Sequence, residues 1–261
     1  MATAAQKKTT TDLVPIGDYS VVSGDGAADL STIIEENIGG GAITPFDLDR
    51  IKIPAGGGLS WVVPTLDGET DERSIEGIIV HWREPRAYWS TSLDESGGGA
   101  PPDCASDDGQ IGVGAFGIGS DGNPTGACAS CPMARFGSAD KGGGQACKQS
   151  RLLFVLRPDA ILTVALALPP TSIKPARTYF LRLANARLPF YGVTTVFTLE
   201  RTKNAAGIDY GRVVLSKGET LDEGQRKSVE EYRDSIRGSL DAVRLDQSDV
   251  HGDDDGLTDV E

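Results

Sequence analysis

Short apolar runs of strand length dominate the hydrophobic pattern of the chain. The first clear run is residues 74–82 (SIEGIIVHW), which continues past Pro85 into residues 86–90. Two further runs follow later, at residues 151–157 (RLLFVLR) and 161–168 (ILTVALAL). Their length and their content of β-branched and aromatic residues favour strands over helices. The pattern therefore predicts a β-sheet in the middle of the chain.

Two helices are predicted in the C-terminal half. Residues 172–187 are expected to form the first helix, with Ser172 as its cap. Thr220 and Glu223 have the spacing of a capping box, which is typical of a helix start. An apolar stripe follows them, so a second helix is predicted within residues 217–240.

The order of the predicted elements indicates the fold class. Residues 191–201 and 208–216 are two more strands that we expect to pair as a hairpin. The chain then reads strand, insertion, strand, strand, helix, strand, strand, which is the order of an OB-fold. Other small barrels have the same number of strands, and the position of the helix is what favours this one. We predict a mainly β chain with minor α, built as an OB-fold-like five-stranded barrel.

Composition divides the chain into four segments. Residues 1–45 lack a sustained apolar period and are expected to be flexible. Residues 46–216 are expected to hold the barrel, with a glycine-rich insertion at about 100–150. The C-terminal helix at residues 217–240 comes next, and residues 241–261 are predicted to be an acidic, disordered tail.

Charge is distributed unevenly. The net charge of −13 by itself argues against nucleic acid as a ligand. Residues 132–215, however, carry a net charge of +8, and residues 216–261 carry −8. A basic block followed directly by an acidic tail is compatible with binding to a polyanion.

All four cysteines lie in or beside the glycine-rich insertion. Cys128 and Cys131 form a Cys-x-x-Cys pair, with Cys104 before it and Cys147 after it. Such a pair presents two thiolates to one ion, and two more cysteines complete a tetrahedral, structural Zn²⁺ site. Two disulfides would use the same residues and would be usual in a secreted protein. The N-terminus has no apolar core of signal-peptide length and no run is long enough to span a membrane, so we expect a soluble, cytoplasmic protein and favour zinc.

Aromatic and basic residues alternate in two places, and both suit single-stranded nucleic acid. Bases stack on flat side chains, while cations follow the phosphates. The predicted contact residues are Trp82, Arg83, Arg86, Tyr88 and Trp89 near the first strand, and Arg135, Phe136, Lys148 and Arg151 around the last two cysteines. The alternative interpretation is that the tryptophans are core residues and that the second group is a solvated rim.

Residues typical of catalysis are few. The chain has two histidines, His81 and His251, and no serine or cysteine nucleophile in a recognisable motif. Residues 112–117 match a dinucleotide-binding glycine pattern by letter, but no predicted strand precedes them and no predicted helix follows them. We therefore expect that the protein is not an enzyme.

The combination of a flexible N-terminal segment, an OB-fold with an inserted zinc site and an acidic tail resembles the single-stranded DNA-binding proteins of tailed bacteriophages. The resemblance covers most of the chain and lies in its architecture. It implies coating of single-stranded DNA without sequence specificity during replication or recombination, with self-association possible and the host cytoplasm as location. It also implies that the tail recruits replication or recombination proteins and competes with DNA. The tail residues assigned to partner binding are Asp253, Asp254, Asp255, Asp259 and Glu261.

A second function remains open from the residues themselves. The protein could be a structural or interaction protein, such as a virion or assembly component, that does not bind nucleic acid. Its zinc site would then only hold a glycine-rich region together. Weak DNA binding combined with tight self-assembly would favour this alternative.

Overall fold

The computed structural model describes residues 13–22, 32–33, 35–39, 47–54, 57–92, 95, 97, 100–140, 143–158, 160–203, 207 and 209–250. The strands are β1 Leu13–Ile16, β2 Tyr19–Val22, β3 Arg50–Ile51, β4 Trp61–Thr65, β5 Gly68–Glu72, β6 Ser74–Arg83, β7 Arg86–Tyr88, β8 Cys104–Ser106, β9 Val113–Gly114, β10 Ile118–Ser120, β11 Asn123–Thr125, β12 Lys148–Gln149, β13 Arg151–Leu156, β14 Val164–Leu168, β15 Val193–Lys203 and β16 Asp209–Thr220. Among the described residues the two long helices are α1 Pro170–Asn185 and α2 Glu223–Ala242, and residues 32–33 and 35–38 are also helical.

The main sheet has six strands in the order β16-β15-β6-β13-β14-β3. Neighbouring strands are antiparallel, except that β14 and β3 are parallel. The predicted mainly β character is confirmed, and strands occupy each of the main runs that the hydrophobic pattern selected. Within the described residues no pairing joins β16 to β14 or β3, so the sheet is not a closed barrel.

Both faces of the central strands are buried, which explains why their sequences read as continuous apolar runs. On one face Ile79 packs in a core with Phe197, which we call the inner core. On the other face Val80 packs with Tyr232 of α2 in the outer core. The sheet is therefore the middle layer of the molecule, with α2 covering its outer face.

Both helices exist where they were predicted, but their predicted caps are wrong. α1 begins at Pro170, and the buried Ser172 is not a cap, because its Oγ accepts a hydrogen bond from Val213 N at 3.0 Å. Thr220 is the last residue of β16, where it pairs with Val193, so the helix begins only after Asp222. None of the described helices has the length and apolar character that crossing a membrane requires.

The N-terminal segment is more ordered than predicted. β1 and β2 form an antiparallel hairpin, and Ile16, Tyr19 and Val21 are buried in the outer core. Flexibility over the whole of residues 1–45 is therefore a wrong prediction for the hairpin. Ile16 is paired with Tyr19 across the hairpin, and Val21 lies two residues further along β2, so the three side chains share one face. This apolar face is enough to attach a short hairpin to a sheet face that is itself apolar.

The predicted start of the disordered tail is also wrong. Val243, Leu245 and Gln247 are buried after α2, and Gln247 Nε2 donates a hydrogen bond to Thr91 O at 2.8 Å. We call residues 243–250 the C-terminal strap. The rest of the predicted tail, residues 251–261, lies outside the described residues.

Candidate metal centre and nucleic-acid interface

The glycine-rich insertion folds into a small lobe around four short strands, in the order β12-β7-β8-β9. We call residues 100–150 the cysteine lobe. Cys104 begins β8 and is paired with Tyr88, while Cys147 directly precedes β12. Cys128 begins a 3-10 turn that Cys131 ends, with Cys131 N donating to Cys128 O. The outlying cysteines thus lie on β8 and directly before β12, the two strands beside β7, and a tight turn supplies the pair.

Glycine is required beside the first cysteine. A Cβ on Gly112 would lie 3.2 Å from Cys104 Sγ, and one on Gly117 would lie 2.5 Å from the Cα atom of Val113. Residues 112–117 therefore owe their glycine pattern to close approach of the backbone around the cysteine. The formal likeness to a dinucleotide-binding loop has this structural cause.

The four cysteines meet at one cavity. Each is 6–7% exposed, and all four line a cavity of about 10 Å³. That is room for about one water molecule or small ion, and it excludes an organic substrate. All four side chains are unpaired thiols. The spacing of the cysteines in the sequence therefore did predict which side chains come together.

Burial favours the uncharged form of two of the four thiols, Cys104 and Cys147. Burial raises the pKa of Cys147 to about 12, the other three thiols add to this shift, and the Arg86 guanidinium opposes it. Burial also raises the pKa of Cys104. Bound Zn²⁺ reverses this balance, because it deprotonates a coordinating thiol. Within the described residues no group of three or more Cys, His, Asp or Glu side chains is arranged so that it could hold a metal ion as it stands. The sulfurs would have to close around the ion.

Arg86 lies on β7 beside the cysteine lobe and lines the cysteine cavity, and it is not among the residues that line the open cleft described below. Its Nη2 donates a hydrogen bond to Gln149 Oε1 at 2.8 Å. Nη1 is buried and has no hydrogen-bond partner among the described residues. A buried, unpaired donor on a cation fits a site that becomes negatively charged when its thiols bind a metal.

Arg151 and Trp82 belong to an internal stack. Arg151 is 4% exposed, forms an ion pair with Glu84 and lies with its Cζ 4.6 Å from the centre of the Trp82 ring. Trp82 in turn stacks on Phe180 of α1 at 6.0 Å. The prediction that Arg151 contacts nucleic acid is wrong, because its charge is already paired and buried; Trp82 is half-buried and has one face occupied.

Arg83 is also used internally. Its side chain is nearly buried, and Nη1 donates a hydrogen bond to Asp241 O at 2.6 Å at the end of α2. Asp107 of the cysteine lobe is 3.8 Å away. Arg83 therefore connects the sheet, α2 and the lobe, and its predicted role as a phosphate contact is wrong.

The remaining predicted residues come together at one open cleft. Tyr88, Trp89 and Lys148 line a cleft of about 350 Å³ between the cysteine lobe and the C-terminal strap. Arg135 and Phe136 are exposed, with Phe136 64% exposed, and they lie in the loop whose flanking residues form one wall. The cleft therefore combines two aromatic side chains, a lysine and an adjacent exposed Arg-Phe pair.

The aromatic residues of the cleft are held in place. The Tyr88 ring contacts Phe116 edge to face at 5.3 Å, and Trp89 Nε1 donates a hydrogen bond to Ala100 O at 2.9 Å. Contacts of this kind reduce the entropy that a side chain loses when a ligand binds. The cleft is thus preorganised for a flat ligand.

Sequence reasoning missed the C-terminal wall of the cleft. Gln247 and Val250 line it, and Asp249 forms an ion pair with Arg50, which attaches the strap to β3. The available signal was the alternation of apolar residues after α2, at Val243 and Leu245. The predicted partner-binding residues of the tail, from Asp253 to Glu261, lie outside the described residues.

No protein-family model matches the sequence, and neither the curated proteins nor the solved structures gave a significant match.

Proposed function

We propose that this protein binds single-stranded DNA without sequence specificity, in the cytoplasm of the cell where that DNA is replicated or recombined, and that it is not an enzyme. The observation that carries the proposal is the cleft beside the cysteine lobe. Tyr88 and Trp89 offer rings for base stacking, while Lys148 and Arg135 offer charge for the phosphates. Neither kind of contact depends on base identity.

The strand order supports an OB-fold-like architecture. Five strands of the main sheet, β16-β15-β6-β13-β14, follow the OB-fold order of fifth, fourth, first, second and third. α1 falls between the third and fourth of them in sequence and contacts both edge strands of this set, β14 and β16. The cysteine lobe is inserted between the first and second strands, whose connecting loop contributes to oligonucleotide binding in OB-folds. The cleft lies beside this insertion.

The four cysteines are proposed to hold one structural Zn²⁺. When bound, the ion supplies four bonds to sulfur that keep the lobe in one shape, in place of the large apolar core that a lobe so rich in glycine lacks. Cys104 and Cys147 attach to the strands beside β7, and Cys128 and Cys131 attach the turn. The zinc therefore would fix the wall of the cleft on which Arg135 and Phe136 lie.

The acidic tail is proposed to compete with DNA and to recruit replication or recombination proteins. Val250 lies at the cleft, and residues 251–261, which follow it directly, include five carboxylates. A polyanion tethered at the cleft has a high local concentration there. Single-stranded DNA would displace it, which frees the tail for a basic surface on a partner protein.

A titration with a labelled oligothymidine at two salt concentrations tests the DNA-binding proposal. Tyr88→Ala should weaken binding by about tenfold, because one stacked base contributes ~1–3 kcal/mol. Lys148→Gln should weaken binding and reduce its salt dependence, because fewer counterions are released. The matched control is Lys227→Gln on α2, which removes the same charge outside the cleft.

The control separates a local effect from a change in net charge. If Lys148→Gln and Lys227→Gln bind the oligonucleotide equally, the cleft is not the contact surface. If the wild-type protein does not bind single-stranded DNA at low salt, the proposal itself fails.

Metal analysis tests the zinc site separately. Protein purified without added metal should contain one zinc per chain, and a strong chelator should loosen residues 100–150, as measured by proteolysis of the lobe. A folded protein that holds no metal and two disulfides would contradict the site.

One observation favours the alternative of an interaction protein. Ile111, Val113 and Ile118 are exposed apolar residues of the cysteine lobe, and Val113 lies on β9, an edge strand of the lobe's sheet. Exposed apolar residues beside an unpaired strand edge are typical of association surfaces. Sedimentation at increasing protein concentration would show self-assembly without DNA if this alternative holds.

A further inference from the structure

We infer that Arg86 stabilises the metal site without being a metal ligand. Its Nη1 would donate a hydrogen bond to a cysteine thiolate, and its positive charge would offset part of the negative charge of the four thiolates. The inference rests on the proposed zinc site and deepens it. It assigns a charged partner to the metal centre that the spacing of the cysteines does not reveal.

The position of Arg86 is fixed by the sheet of the lobe. Arg86 lies on β7, opposite Ser106 on β8 and Gln149 on β12. Arg86 lines the cavity together with the four cysteines, and the hydrogen bond to Gln149 holds one end of its guanidinium. The other end, Nη1, is buried and without a hydrogen-bond partner among the described residues.

No other anion is available at the cavity. The residues that line it, all in the described part of the chain, include no carboxylate; they are Arg86, the four cysteines, Ala105, Ser106, Gly112, Phe116, Asn123 and Ala134. Arg86 as a whole is only partly buried, but its Nη1 atom is buried, and a buried donor that lacks a partner is unfavourable. The thiolates of a metal site are therefore the counter-ion that this environment can supply.

Arg86 gains a charged partner in the lobe only when a metal is bound. Four thiolates around Zn²⁺ carry a net charge of −2, and the Arg86 guanidinium reduces it to −1 within the lobe. Four protonated thiols, or two disulfides, are neutral and would leave the buried Nη1 donor without a charged acceptor. The arrangement thus favours zinc over the disulfide alternative, for a reason independent of cysteine spacing.

Zinc release tests this inference. The wild-type protein and its Arg86→Met variant are mixed with a chromophoric chelator, and the rate of zinc transfer is recorded together with the zinc content at the start. Loss of a hydrogen-bonding partner outside the ligand set typically costs 10–100-fold in metal affinity. We expect Arg86→Met to release zinc at least about tenfold faster than the wild type. Arg135→Met, which removes an exposed arginine of the same lobe, should release it at the wild-type rate.

Two further measurements keep the result interpretable. Arg86→Lys keeps the charge but loses the forked donors of the guanidinium, so it should release zinc at a rate between those of the wild type and Arg86→Met. This variant keeps the test valid if Arg86→Met folds poorly. The sulfur-to-metal absorption of Co²⁺-substituted protein should shift in Arg86→Lys and not in Arg135→Met.

Equal release rates and unshifted spectra would overturn the role of Arg86. A wild-type protein without zinc would overturn the metal site itself, which the initial metal analysis reveals before any variant is compared.

Discussion

His81 is a histidine whose environment keeps it neutral. It is buried in β6, its ring stacks on Phe154 at 5.8 Å, and its Nε2 lies 2.9 Å from Asp241 Oδ1. Burial lowers the pKa of His81, and the hydrogen bond and charge of Asp241 only partly oppose this. Proton uptake by the folded protein at this residue therefore needs a lower pH than uptake by the unfolded chain.

This difference predicts a loss of stability in mild acid. As the pH falls below about 6.5, the unfolded chain protonates His81 while the folded protein does not, so the unfolded state binds more protons and the free energy of unfolding decreases. Urea unfolding at pH 7 and pH 5.5 should show this decrease in the wild type and a smaller one in His81→Gln. His251→Gln, which changes the chain's other histidine, is the control. An identical decrease in all three proteins would show that His81 does not cause it.

Helix α2 depends on a cap two residues later than the sequence suggested. Asp222 Oδ1 accepts a hydrogen bond from Gln225 N at 2.8 Å, and Gln225 Oε1 accepts one from Asp222 N at 2.9 Å. The helix carries Val229 and Tyr232 into the outer core. Its cap therefore helps to stabilise the layer that covers the sheet.

Substitutions at the two candidate caps should separate them. Asp222→Ala should lower the free energy of unfolding by about 1 kcal/mol, because an orphan amide at the helix start loses its acceptor. Thr220→Ala, at the exposed end of β16, should change it by less than about 0.5 kcal/mol. Denaturant unfolding of both variants measures the difference, and a larger effect at Thr220 would place the functional cap there.

At the scale of the whole molecule, the basic block of the sequence does not form a single surface. Arg151 and Arg157 form ion pairs with Glu84 and Glu72. Lys174, Arg177, Arg182 and Arg187 are exposed on and just after α1. The positive charge near the cleft is therefore modest, so an acidic tail that begins there would have a large effect on polyanion binding.

Removal of residues 251–261 should tighten binding of single-stranded DNA, most strongly at low salt, and should cost the protein its replication or recombination partners. The five carboxylates of this segment are removed, while Gln247 and Val250 stay in the cleft wall. A tail that acted through net charge alone would give a small gain that fades evenly with salt. A variant of full length with the five acids changed to Asn or Gln tests charge without shortening the chain. Unchanged or weaker affinity in a folded truncation would count against DNA binding and favour the structural alternative.

The sequence by itself determined the main strands and which four cysteines share a cavity. Continuous apolar runs predicted β6, β13 and β14, because strands buried on both faces need apolar residues at every position. The Cys-x-x-Cys pair and its two flanking cysteines predicted which thiols share a cavity, because a tight turn brings the pair together and the two outlying cysteines can complete a tetrahedral set. In both cases the residue types in a local pattern were enough to predict that the side chains are buried.

Only the tertiary structure decided which charges face outward. Arg83, Arg86 and Arg151 read as surface cations, yet each is directed to a partner that lies far away in sequence or across a sheet. The strap after α2 read as tail because its apolar residues are few, but the apolar sheet face on which it packs was already present. The environment of a long side chain or a short segment is set by the elements that pack against it. The periodicity of residues along the chain does not contain that information.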